Sequence, residues 1–93
     1  MLNDEQFAKL EKAVISFNSG KPEEAYDTFR VFAEKPYNDD ESQYYLGLMY
    51  YSGKVVEKSL DQAIFWWKKS AFQRNMDAAF QLESISMTKN TRY

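Results

Sequence analysis

Apolar side chains recur three and four positions apart along most of this chain, the repeat of a single helix face. The first run, Phe7, Leu10, Val14 and Phe17, lies between Asn3 and Gly20. Asn3 with Gln6 three residues later reads as a capping box, and Gly20 as the left-handed residue after a helix end. Pro22 suits the first position of a second helix, with Glu23 and Glu24 near its positive end. The apolar face of that helix is Ala25, Tyr26, Phe29, Phe32 and Ala33, and Pro36 stops it. A third helix starts after Asn38 or Asp39 as cap and carries SQYYLGLMYYS as far as Gly53. A fourth starts at Ser59, again with Gln three residues on, and runs to about Gln73. The fifth begins near Asn75, carries Ala78, Ala79, Leu82 and Ile85 on one side, and fades into the polar TKNTRY. β-Branched residues are scarce and Val55 with Val56 falls in a loop, so no strand competes. The pattern predicts an all-α chain of five antiparallel helices near 3–18, 22–34, 40–52, 59–73 and 76–88.

Two features of the pattern go beyond helix counting. The first is repetition. SQYYLG (42–47) and AAFQLE (78–83) share a pattern at an offset of 36 residues, and EEAYDTF (23–29) echoes DQAIFWW (61–67) at an offset of 38. Helix pairs recurring at such a period are the mark of an α-solenoid, here of about two and a half helix–turn–helix units. The second is the pair Trp66 and Trp67, the chain's only tryptophans. Neighbours on a helix point about 100° apart, so the two rings cannot serve the same neighbour. They sit on two stripes, Leu60, Ile64, Trp67 and Ala71 on one and Ala63, Trp66 and Ser70 on the other.

Composition narrows the chemistry. Ninety-three residues fit one small domain, and aromatics at 17% supply large apolar area for so short a chain. A net charge of −2 with 28% charged residues gives no pull toward nucleic acid or anionic membranes, and the tail cations Lys89 and Arg92 are too few to change that. With no cysteine and no histidine, disulfides, thiolate metal sites, the thiol nucleophile and the commonest general base are all missing. No phosphate loop or nucleophile elbow accompanies the serines and acids. We expect no enzyme, no cofactor and no metal.

The acidic stretch 38–41 lacks the alternating oxygen ligands, Gly and distal Glu of a calcium loop, and acids at a helix start are explained by capping. Lys68 and Lys69 read as a solvated face. The N-terminus has acids where a secretory leader needs a basic start, and no apolar run is long enough to span a bilayer. The expectation is a cytoplasmic protein with neither a nucleic-acid nor a membrane partner.

Residues 42–82 resemble the Sel-one-like repeat, a subtype of the tetratricopeptide-repeat superfamily. Leu46, Gly47, Tyr50, Gly53, Val56, Ala63, Trp66, Lys69 and Ala71 fall on that repeat's pattern in register, and Asn75, Asp77, Ala78 and Leu82 look like the start of the next unit. Residues 1–36 match only as a generic helical pair, 40–73 form the repeat unit, and 75–88 look like a capping helix within one domain spanning 1–93. Val55 stands at a usual Gly, Arg74 at the closing Gly, and Glu83 and Ser86 at pattern positions of the next unit, which makes the last helix degenerate. The resemblance implies that the second helix of a unit packs against its own first helix and against the next unit's first helix, which would account for both tryptophans.

The resemblance also implies a concave groove lined by the first helices of the units. After Leu46 and Tyr50 are assigned to packing, Tyr44, Leu48 and Tyr51 remain on another face, and Phe80 and Met87 offer comparable positions on the fifth helix. These five are the expected protein-binding residues. Phe7, Leu10 and Phe17 border the same groove but are assigned to covering the end of the stack. The family's clamp for C-terminal carboxylates is not expected, because its Lys, Asn and Arg positions are apolar here. The implied role is a non-catalytic protein-interaction module, an adaptor, scaffold or partner-neutralising protein; in bacteria such roles include complex assembly, secretion-linked regulation and toxin neutralisation. The second expectation is a self-associating module whose groove is filled by another copy.

Overall fold

The computed structural model describes residues 2–90, with side chains as far as Met87, so Arg92 lies outside the described residues. Five helices follow one another: α1 (Asp4–Asn18), α2 (Pro22–Ala33), α3 (Asp40–Ser52), α4 (Leu60–Phe72) and α5 (Met76–Asn90). No strand occurs among the described residues, and each helix end lies within two residues of the position expected from the pattern.

The boundaries have local causes. Asn3 and Gln6 bond reciprocally at the start of α1, completing the capping box. Asp39, rather than Asn38, caps α3 by accepting the Ser42 amide at 2.8 Å. Asn38 has φ 51° and accepts instead from the Gln43 side chain. Ser59 caps α4 by accepting the Gln62 amide at 3.2 Å. α1 and α4 end in the same motif. After α1, the amides of Gly20 and Lys21 bond back to the carbonyls of Phe17 and Ser16. After α4, those of Arg74 and Asn75 bond back to Ala71 and Ser70. Both motifs need a left-handed residue. Gly20 takes φ 86° without strain, whereas Arg74 is held at 73°.

Packing runs in chain order, α1 on α2, α2 on α3, α3 on α4 and α4 on α5, giving an elongated body of 49 × 26 × 19 Å. This helix–turn–helix stacking is consistent with a helical repeat. Two apolar clusters result. The larger holds Leu10, Phe29, Phe32, Leu46, Met49 and Trp66; the smaller is Ala63, Trp67 and Ala78, covered by Leu48, Leu82 and Ile85 among others. The adjacent tryptophans therefore serve different clusters, Trp66 toward α1–α3 and Trp67 toward α5.

Leu60 departs from its expected stripe and is half exposed. It lies in the first turn of α4.

Trp67 is fully buried, and its indole lies flat against the backbone of α3 at Gly47. A Cβ there would overlap the ring, at 2.8 Å from Cε2 and closer to two other ring atoms. The indole Nε1–H donates to the Tyr44 carbonyl at 3.1 Å, so the one polar atom of the ring is satisfied inside the core.

A polar seam closes the other end of the α3–α4 pair. Gln43, fully buried, donates from Nε2 to the Ala33 carbonyl at 2.9 Å and to Asn38 Oδ1 at 2.8 Å. Its Oε1 accepts from Gln73 at 3.1 Å. Ser70 donates to the Asp40 carbonyl at 2.7 Å, and Asn75 donates to the Asp40 carboxylate at 2.9 Å. Helices α2, α3 and α4 and the turn into α5 are thereby tied at one level. A buried amide with every donor and acceptor used costs little to keep and much to break.

Two substitutions test this account. Trp67→Ala should destabilise the fold by about 3–5 kcal/mol in urea titration. Gly47→Ala should also destabilise, by about 1–3 kcal/mol, because overpacking outweighs the ~1 kcal/mol that Ala normally gains over Gly inside a helix. A Gly47→Ala protein at or above wild-type stability would contradict the close approach.

Candidate functional site

Helix α3 supplies three of the five expected binding residues, and its neighbours determine what each can do. Tyr45 faces the first half of the molecule, stacked on Phe29 with centroids 4.8 Å apart and edge-on to Phe17 at 5.0 Å. Tyr44 faces α5. Its ring packs over the smaller cluster and its hydroxyl bonds the Gln81 side chain. Leu48, one turn on, packs over the same cluster. Tyr51 lies at the end of the helix, 48% exposed, with its ring tilted against Trp67 at 5.6 Å.

Leu48 and Tyr51 meet at an open cleft of about 450 Å³. Its opposite wall is Phe17 at the end of α1 and Pro22 at the start of α2, and Val55 lies on its lining beyond α3. Glu23 and Lys54, both exposed, bring one charge of each sign to it. The volume is within the usual ligand-pocket range of about 300–1,000 Å³, and the mixture of apolar wall and few charges is typical of such sites.

The five expected residues are thus divided. Leu48 and Tyr51 come together. Tyr44 sits beside them as a support, half-buried under α5. Phe80 and Met87 are 64% and 61% exposed and do not line this cleft. On a helix turning about 100° per residue, they lie roughly opposite Ala78, which α5 turns toward α4. They share that outer stripe with Met76.

Phe17 and Val55 are cleft residues that the sequence reading set aside, the first as an end cover and the second as loop. The signal was present in the repeat: at an offset of 36–38 residues, the end of α1 corresponds to the end of α3, so the two approach the same region.

A second concavity of about 410 Å³ lies along α4, lined by Phe65, Lys68, Lys69 and Phe72 with Asn38 and Gln73. Lys68 is exposed, as a solvated face requires. Lys69 is half-buried, its amine 5.6 Å from the Phe65 centroid and 5.9 Å from that of Trp66, a cation held over ring faces. The acids at 38–41 are engaged as described above: Asp39 caps α3 and Asp40 accepts Asn75.

No protein-family model, curated protein or solved structure matches this chain. Among the described residues, no helix is long and apolar enough to cross a membrane.

Burial pushes the Tyr44 hydroxyl above the usual tyrosine value of 10.0, and the nearby Asp77 carboxylate adds to the effect. Burial likewise raises Tyr45 and Tyr50. All three therefore hold their protons above the usual tyrosine value, although the Tyr44–Gln81 bond pulls the other way. Above pH 10 the unfolded chain loses these protons before the folded one, so the folded state binds more protons and stability falls as pH rises. Urea midpoints should decline from pH 10 upward, and Tyr44→Phe should flatten part of that decline. A midpoint unchanged up to pH 11 would contradict the burial of these hydroxyls.

Proposed function

We propose that this protein is a non-catalytic interaction module that holds a protein or peptide segment in the cleft between the end of α3 and the α1–α2 turn. One observation carries the reading: Leu48, at the edge of the smaller cluster, and the half-exposed Tyr51 converge with Phe17 and Pro22 on an open apolar cleft with one charge of each sign. Tyr51 is the anchor. It offers a large face and a hydroxyl with few rotamers to lose, and Trp67 supports it from behind. Leu48 and Phe17 form the apolar walls. Glu23 and Lys54 act on partner choice and association rate more than on affinity. Tyr44 contributes by holding α5 in place.

A Sel-one-like, tetratricopeptide-type repeat is the framework that we assign to this module. Supporting it are Gly47 at a helix–helix close approach and Arg74, at the pattern's closing Gly, held at φ 73°. Within that framework the role is that of an adaptor, scaffold or partner-neutralising protein acting in the cytoplasm. The absence of His and Cys from the sequence supports a non-catalytic role.

The test begins with affinity capture from the native cell, using wild-type and Tyr51→Ala baits side by side. For a partner so identified, calorimetry should show Tyr51→Ala weakening binding by about 1–2 kcal/mol, the range of a hot-spot truncation. Because Tyr51 is half exposed, its melting temperature should fall much less than that of Trp67→Ala. If Tyr51→Ala and Leu48→Ala leave binding intact while Phe72→Ala on α4 abolishes it, the partner docks on the other side and the cleft is idle.

A further inference from the structure

Helical period alone assigns Lys68 and Lys69 to a solvated face, but the structure sets them in a lined hollow. Phe65, Lys68, Lys69 and Phe72 follow at i, i+3, i+4 and i+7, one stripe of α4 about 10.5 Å long. Its ends are aromatic and open, Phe65 being 50% exposed and Phe72 89%. Its middle is cationic. The residues three and four positions from the lysines are Ile64, Phe65, Trp66, Ala71, Phe72 and Gln73, none of them acidic. The one acid of α4, Asp61, lies two turns before Lys68. In a chain of net charge −2, the stripe is a positive patch with no counter-charge within a turn on its own helix.

The turn between α2 and α3 makes the stripe concave. Asn38, at φ 51°, accepts Gln73 Nε2 at its carbonyl at 2.9 Å and the buried Gln43 Nε2 at its Oδ1 at 2.8 Å. It is thereby fixed beside α4, and the hollow of about 410 Å³ lies between them. With both kinds of acceptor engaged, Asn38 offers a ligand the donors on Nδ2. Gln73 gives its Nε2 to Asn38 and to Gln43, so it offers Oε1 as an acceptor. The Lys69 amine is already held over the Phe65 and Trp66 rings, so it has less freedom to lose on meeting a ligand than a free lysine.

These groups define the ligand by its chemistry. Two ammoniums and an amide donor match carboxylates, the two phenylalanines match apolar side chains on either side, and Gln73 Oε1 matches an N–H. A peptide brings all three, the last from its own backbone. A phosphodiester backbone brings acceptors only, and a polyanion would also meet the net negative charge of the chain. At about 3.3 Å per residue, an extended peptide crosses the stripe in about three steps. Two acids bracketed by large apolar residues therefore match it from end to end.

We propose that the hollow on α4 is a second docking site, for an acidic segment of a partner protein in which adjacent carboxylates are bracketed by large apolar side chains. Lys68 and Lys69 take the carboxylates, and Phe65 and Phe72 take the flanking side chains. This hollow and the cleft at Tyr51 share no lining residue, so the two readings stand or fall independently.

A nuclear magnetic resonance titration of the isotope-labelled protein tests the proposal and locates the site together. The probe is the end-capped peptide Gly-Ser-Leu-Glu-Glu-Phe-Ser-Gly. Signals of Asn38, Lys68, Lys69, Phe72 and Gln73 should move, while those of Tyr51 and Val55 stay in place. Replacing both lysines by glutamine, Lys68→Gln with Lys69→Gln, should weaken binding about tenfold, as should glutamine for glutamate in the peptide. Added salt should weaken it too. Phe72→Ala, at an exposed position that leaves the core intact, should weaken it about threefold. No movement up to about 5 mM peptide overturns the proposal. Equal affinity for the glutamine peptide, or movement centred on Tyr51, also overturns it. So does a single-stranded oligothymidylate that moves the same signals at lower concentration than the peptide, since the hollow would then be a nucleic-acid site.

Discussion

The close approach of α4 to α3 at Trp67 and Gly47 is the constraint on which the rest of the structure depends. The indole can lie against α3 only because Gly47 has no Cβ, and it can stay there because its N–H finds the Tyr44 carbonyl. That carbonyl already belongs to the α3 helix, so its second lone pair takes the indole. The result is a large ring buried with no orphaned polar atom. Once Trp67 is seated, Trp66 must point about 100° away, and its direction carries α4 onto the larger cluster with α1 to α3. One helix thereby joins two cores that would otherwise be too small to hold separately.

Much of this was legible in the sequence, for identifiable reasons. Helix ends could be read because caps are local: Asn3 with Gln6, Pro22, Ser59 and Gly20 each act within four residues of themselves. The role of the tryptophan pair could be read because helix geometry forbids adjacent rings from sharing a partner. What could not be read depends on residues far apart in the chain. Gln43 looked like one polar residue in a helical run, yet it is fully buried, and its partners lie at Ala33, Asn38 and Gln73. Leu60 fitted the apolar period, yet it is half exposed, because period alone does not say whether a neighbour reaches the first turn of a helix.

The binding residues show the same limit more sharply. Helical period alone groups Tyr44, Leu48 and Tyr51, and it groups Phe80 with Met87, but it does not say which way either group turns relative to the other. That depends on how α5 is rotated about its own axis. The rotation follows from Ala78, the small residue that lets α5 approach α4, with Leu82 and Ile85 on the same side. Those three residues together turn Phe80 and Met87 outward. Phe17 was set aside because its helix was assigned to covering the end of the stack, although the repeat period puts the end of α1 across from the end of α3.

Tyrosine dominates α3 because each ring there sits at a boundary. Tyr45 lies between α1 and α2, Tyr44 under α5, Tyr50 beside Tyr26, and Tyr51 at the solvent edge over Trp67. Phenylalanine at these positions would supply the same area but leave Gln81 and the water at the rim without a partner. Leucine would fill less space across a helix pair held close by Gly47. The hydroxyls end on polar neighbours and the rings on apolar ones, so a single helix of thirteen residues can face two clusters and solvent together. The cleft follows from this arrangement: it forms where the last tyrosine of the series runs past the helices that cover the others, leaving its ring supported on one side and open on the other.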